Sequence, residues 1–198
     1  MSILRVKRRV LNLIKKHEEL KQFQNGAGLR EQSKSTIGKE DSSQTSPLWS
    51  MNFDGSCTKN NAGAGIWIHN TENNHTEGHS YRLNFQCSNN IAKYESLLLG
   101  LRLLKKLGAK RIKFHGDSEL IVRQVNGEYN AKHPRIRAYR NDSMDLLKTF
   151  DEFQLFFVLR NQNFLANGLA FATRTCLTPY ETKQCTTQVK FRPAVLDN

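Results

Sequence analysis

The residues with chemistry to offer in this 198-residue chain are two aspartates, three asparagines in turns, four cysteines and a large surplus of cations. Asp54 stands in Phe53–Asp54–Gly55–Ser56 and Asp117 in Gly116–Asp117–Ser118, each at the end of a short apolar run. Taken alone, an Asp before Gly or Ser is what strand-end turns and helix caps use. Asn60 sits in a Gly/Asn turn, and Asn89 and Asn90 stand just before a helical stretch, where Asn supplies turn geometry or a cap. Cys57, Cys87, Cys176 and Cys185 lie far apart with no CxxC pair, which favours neither a structural zinc site nor a disulfide framework. They read as reduced thiols of an intracellular compartment, with Cys57 and Cys87 as small core residues. Lys plus Arg number 30 against 18 Asp plus Glu, a net charge of +12. That surplus points to a polyanionic partner.

Three zones surround these residues. Residues 1–24 place Ile3, Val6, Val10, Leu13 and Ile14 among Arg5, Lys7, Arg8, Arg9, Lys15 and Lys16, the pattern of a basic amphipathic helix. Residues 25–47 are rich in Gly, Ser, Thr and Gln and read as a flexible linker. Residues 48–176 form the globular part, and 177–198 a polar tail. The first segment has the composition of a mitochondrial transit peptide, but Glu18, Glu19 and Met1 suit a mature arm reaching into a ribonucleoprotein. No apolar run approaches the roughly 18 residues a spanning helix needs, so no membrane partner is expected.

Within the globular part, Trp49–Phe53 and Gly65–His69 read as strands joined by the turn around Asn60, Asn61 and Gly63. Tyr81–Phe85 alternates like a third strand, and Ile91–Leu107 carries apolar residues at helical spacing until Gly108 stops it. Arg111–His115 is a strand, Ser118–Val125 a helix, and Pro134 opens a helix to about Phe150. Phe153–Leu159 is a strand and Phe164–Thr175 a last helix. The order β-β-β-α-β-α-α-β-α predicts an α/β fold, a mixed sheet with helices on its faces.

The motifs FDGS (Phe53–Ser56), the turn Asn60–Gly65, Ser88–Asn90, GDSEL (Gly116–Leu120), QVNGEY (Gln124–Tyr129) and Arg160–Thr173, in this order, resemble the ribonuclease H family. The resemblance is closest to the plant retroelement and archaeal-like type and covers roughly residues 48–176. It implies an RNase H-like fold with a five-stranded sheet, three strands antiparallel and two parallel. It also implies two-metal hydrolysis of the RNA strand of an RNA–DNA hybrid, with two Mg²⁺ ions held about 4 Å apart. Mg²⁺ wants hard anionic oxygens, and the family supplies four carboxylates.

This chain keeps the first and third, Asp54 and Asp117. Lys93 stands where the resemblance expects the second, a Glu, and Asn167 where it expects the fourth, an Asp. Glu95 cannot substitute, because two residues along a helix is a rotation of about 200°. An ammonium within about 4 Å of a dication repels it by several kcal/mol at an effective dielectric near 20. Lys93 is therefore expected to replace metal, with Asn167 adding a neutral hydrogen bond and no bound metal or other cofactor. The resemblance further implies that Asn60, Asn89 and Asn90 face the minor groove of an A-like duplex. Lys105, Lys106, Lys110 and Arg111 form a basic cluster that would meet phosphates.

The expected function is that of an inactive RNase H-like protein, a binder of RNA or an RNA–DNA hybrid or a structural component, among the proteins of a large RNA-containing assembly. A mitochondrial ribosome, in particular a plant one, is the preferred setting. The alternative is an active, Mg²⁺-dependent ribonuclease H built on Asp54 and Asp117.

Overall fold

Strand β1 (Leu48–Cys57) is rich in large apolar residues at every second position, and the sheet grows from it on both sides. The computed structural model describes residues 5, 8, 10–16, 18–19, 46–175 and 185–195. Residues 10–16 are helical (α1). After β1 come β2 (Ala62–Asn70), β3 (Thr76–Leu83), α2 (Asn89–Lys106), β4 (Arg111–Gly116), α3 (Glu119–Val125) and α4 (Pro134–Leu147). Strand β5 (Glu152–Phe157), α5 (Phe164–Thr175) and β6 (Cys185–Lys190) complete the order. None of the described helices is long and apolar enough to cross a membrane.

The sheet runs β5-β4-β1-β2-β3-β6. Strands β1, β2 and β3 are antiparallel neighbours, while β4 joins β1, and β5 joins β4, in parallel. This is the mixed α/β arrangement the sequence implied, with one correction: the sheet has six strands. Residues 185–190, read as part of a polar tail, pair in parallel with β3. The segment CTTQVK has little hydrophobic alternation, so its register is set by the free edge of β3 and by the Ser80–Thr187 hydroxyl pair at 2.7 Å. Strand β3 also begins earlier than expected. Its inward positions include Gly78 and Ser80, too small or polar to give an apolar period.

Two layers of helix cover the sheet. Met51, Phe53, Ile66, Ile68, Ile112 and Phe114 pack in one core with Tyr94, Leu97, Leu98 and Leu101 of α2, while α4 lies against α2 and α3 against β4, β5 and α4. Ser88 caps α2 by accepting from the Ile91 amide, and Gly108, at φ +75°, lets the chain turn away after it. On the opposite face α5 lies over β1, β2 and β3. The described part of the basic amphipathic segment docks there: Val10 and Ile14 are buried with Trp67, Leu165, Leu169 and Ala172. Gly168 makes room, since a Cβ there would overlap the Leu13 side chain. The linker expected over 25–47 lies outside the described residues except for 46 and 47.

Candidate functional site

Parallel pairing of β1 with β4 sets Phe53 opposite Gly116, so the next residues, Asp54 and Asp117, emerge side by side. Gly55 then lets the first turn of α2 pass against β1, because any Cβ there would collide with the backbone of Ala92 and Lys93. The consequence is that Lys93, one turn into α2, points into the gap between the two carboxylates. Its Nζ lies 2.5 Å from Asp54 Oδ1 and 2.5 Å from Asp117 Oδ1. The Asp54 and Asp117 side chains are only 5% and 4% exposed, and that of Lys93 17%.

Burial pushes the Asp54 carboxyl up to about 6, with Asp117 adding to the rise and Lys93 drawing it back. Burial alone would depress the Lys93 ammonium, but Asp54 and Asp117 together hold it above the ordinary lysine value. The cluster is a short hydrogen-bonded array in which one ammonium donates to both carboxyl groups.

Asn167 does not complete this array. Its Nδ2 donates to the Arg160 carbonyl at 3.0 Å and its Oδ1 accepts from Asn163 at 3.4 Å. The neutral hydrogen bond expected from Asn167 thus serves the start of α5. The residue that ties α5 to the site is Asn163, only 1% exposed, which sequence reasoning passed over. Its Nδ2 donates to the Phe53 carbonyl at 3.0 Å, and its Oδ1 accepts from Asn52 at 3.1 Å. An Asn one helical turn ahead of Asn167, in the segment entering α5, was the available signal.

Asn60, Asn89 and Asn90 all lie at the β1–β2 turn or the start of α2. Asn89 Oδ1 accepts from the Cys57 amide at 2.8 Å, joining that turn to the helix, while Ser88 does the capping. Asn60 lines a cavity of about 320 Å³ between the turn and the segment after β3. Cys57 and Cys87 line the same cavity and are half-buried, not core residues as expected. The basic cluster is elsewhere. Lys105 and Lys106 close α2, about 20 Å from Lys93 at 1.5 Å per residue. Lys110 precedes β4, and Arg111 opens it and pairs with Glu152 at 2.8 Å. These cations sit at the end of the sheet away from Asp54.

Two Mg²⁺ ions do not fit this donor set. Asp54 and Asp117 each spend an oxygen on Lys93, whose positive charge between them would repel a dication, and Asn167 offers a neutral amide already bonded elsewhere. Among the described residues no group of three or more His, Cys, Asp or Glu side chains is placed to hold a metal ion.

The family described as Reverse transcriptase-like matches residues 52–173. Ribonuclease HI of Halobacterium salinarum is 32% identical over 85 residues, 43% of this chain and 43% of that protein, so the match spans under half of its length. The N-terminal RNase H domain of Rv2228c from Mycobacterium tuberculosis, solved as a fusion protein, superposes with a TM-score of 0.62 at 26% identity, covering 65% of this chain and 94% of that one. LC11-RNase H1, solved in complex with an RNA/DNA hybrid, superposes with a TM-score of 0.54 at 26% identity over 62% and 94%. Strand order, paired aspartates and these likenesses agree: the chain belongs to the Reverse transcriptase-like family of ribonuclease H-type domains.

Proposed function

We propose that this protein binds RNA–DNA hybrid or RNA duplex through the face that carries Asp54, Asn60, Asn89 and Asn90, and that it does not hydrolyse it. The observation that carries the reading is the Lys93 ammonium seated 2.5 Å from both ancestral carboxylates. A site that supplies its own cation needs no dication for its stability, and it lacks the anionic oxygens that would draw two of them in. The duplex-binding half rests on the family, on a relative solved with an RNA/DNA hybrid, and on the +12 net charge. The basic amphipathic segment supports a place among the proteins of a mitochondrial ribonucleoprotein, a ribosome by preference.

A second reading, an active ribonuclease H, is favoured by the retained Asp54 and Asp117 and by the relatives' names. One experiment separates the two. A labelled hybrid is incubated with the protein in Mg²⁺ or Mn²⁺, and binding is followed across salt concentrations. Retained binding that weakens with salt, without cleavage, is expected. Cleavage abolished by Asp54→Asn would establish the active enzyme instead.

A further inference from the structure

The cavity beside the β1–β2 turn holds a pair of thiols that neither the fold nor the proposed function uses. Cys57 closes β1 and Cys87 sits just ahead of α2, thirty residues along the chain. Cys57 Sγ donates to the Cys87 carbonyl oxygen at 2.8 Å, which sets the Cys57 sulfur against the Cys87 residue itself. Both residues are half-buried and line the cavity of about 320 Å³, so a small oxidant reaches them without unfolding. The third described cysteine, Cys185, is buried on β6 beneath Gly78 and Trp67.

We propose that Cys57 and Cys87 are a redox-modification site: a diffusible peroxide joins them in a reversible disulfide that ties the β1–β2 turn to the start of α2. The Cys57 sulfur, as thiolate, attacks one peroxide oxygen; the O–O bond breaks, and Cys57 becomes a sulfenic acid as hydroxide leaves and takes a proton. The Cys87 sulfur then attacks the Cys57 sulfur, the S–OH bond breaks, and the second water carries off the hydroxyl and the Cys87 proton. Two thiols and one hydrogen peroxide give one disulfide and two waters. Burial and the neighbouring Cys57 push the Cys87 thiol up to about 12, which makes Cys87 a poor first nucleophile. Cys87 thus acts as the resolving partner.

The bond matters because of what it joins. The turn carries Asn60, and its only tie to α2 through a side chain of that helix is the Cys57 amide to Asn89 Oδ1 at 2.8 Å among the described residues. A covalent link fixes Asn60 relative to Asn89. The test uses the full chain, treated with equimolar hydrogen peroxide and then with dithiothreitol. Peptide mapping is expected to find Cys57 joined to Cys87, a loss of two hydrogens, and full reversal. Hydrogen exchange at residues 58–61 is expected to slow at least several-fold on oxidation and to stay unchanged in Cys57→Ser and Cys87→Ser. A Cys57 that stops at sulfenic or sulfinic acid with Cys87 still a thiol overturns the proposal, as does a Cys57 linked to Cys176 or Cys185. Neither readout involves nucleic acid, so the result stands apart from the duplex-binding reading.

Discussion

Lys93, one turn into α2, meets Asp54 and Asp117, which leave two parallel strands side by side, at 2.5 Å each. One helix thereby neutralises a repulsion that strand pairing creates. Removing the ammonium leaves two nearly buried carboxylates facing each other, and breaking a buried pair from one side costs about 3–5 kcal/mol. Lys93→Met is expected to lose stability near the lower end of that range, since Lys93 keeps some exposure. Adding Asp54→Asn and Asp117→Asn is expected to recover most of it. Urea unfolding of the wild type, Lys93→Met, the combined variant and Asp54→Asn with Asp117→Asn alone decides the matter: an additive series would mean that the three groups do not act together.

The titration of Asp54 gives the pair a pH signature. Its carboxyl moves from 3.8 in the free chain to about 6 in the fold, so the native state holds that proton more tightly than the unfolded one. The stabilisation it brings is fully present below about pH 4 and is lost as pH rises through 6. Lys93, raised above 10.5, loses its contribution only beyond that value. The stability of the wild-type chain relative to Asp54→Asn is therefore expected to fall by up to about 3 kcal/mol between pH 4 and 6.5. It then stays level to pH 10. Parallel curves for the two proteins across the acid window would remove the assignment.

Returning carboxylates should return the metal. In the double variant Lys93→Glu with Asn167→Asp, the site changes from two anions around a cation to four anions, and without a dication it is expected to unfold more easily than the wild type. Millimolar Mn²⁺ or Mg²⁺ is expected to raise its melting temperature by several degrees while leaving the wild type unmoved. Calorimetry reads the binding directly. A double variant indifferent to both ions would show that more than the ligands has been lost.

The amphipathic segment carries a prediction of its own. Ile14 is 4% exposed and packs with Trp67, Leu165 and Leu169, although the family match begins only at residue 52. Ile14→Ala is expected to cost about 2–4 kcal/mol of unfolding free energy, as for any buried aliphatic residue. Exposed Leu11→Ala is expected to cost little. Equal and negligible effects would mean that the helix does not belong to the core.

The elements near the site were the legible ones, for physical reasons. Strand β1, helix α2 and strand β4 carry strong apolar periods, and Asp54, Lys93 and Asp117 inherit their places from those elements and from one tight glycine, Gly55. What stayed hidden was decided by partners remote in sequence. Strand β6 exists because β3 offers a free edge, and the Asn167 amide is claimed by Asn163 and by the Arg160 carbonyl. Lys105 and Arg111 look like neighbours of the site in the sequence, but α2 and β4 carry them to its far end.

Glu95 shows the same remoteness and supports the last prediction. Two residues past Lys93, it turns into the core, where it is 0% exposed, and its Oε1 accepts from Tyr139 Oη and from the Ala194 amide, each at 2.5 Å. It thereby fastens the chain beyond β6 to α2 and α4. Burial raises the Glu95 carboxyl above the ordinary range, and the two donors only partly offset this. Its ionisation therefore costs the fold increasingly as pH rises past the free-chain value, so the neutral Glu95→Gln is expected to gain on the wild type between pH 5 and 8. Tyr139→Phe takes away one of the two donors and is expected to cost about 1–3 kcal/mol at pH 8 and less at pH 5. Denaturant midpoints measured at both pH values check the pair. An effect of Tyr139→Phe that is the same at both would mean that the Glu95 charge is not what the tyrosine holds.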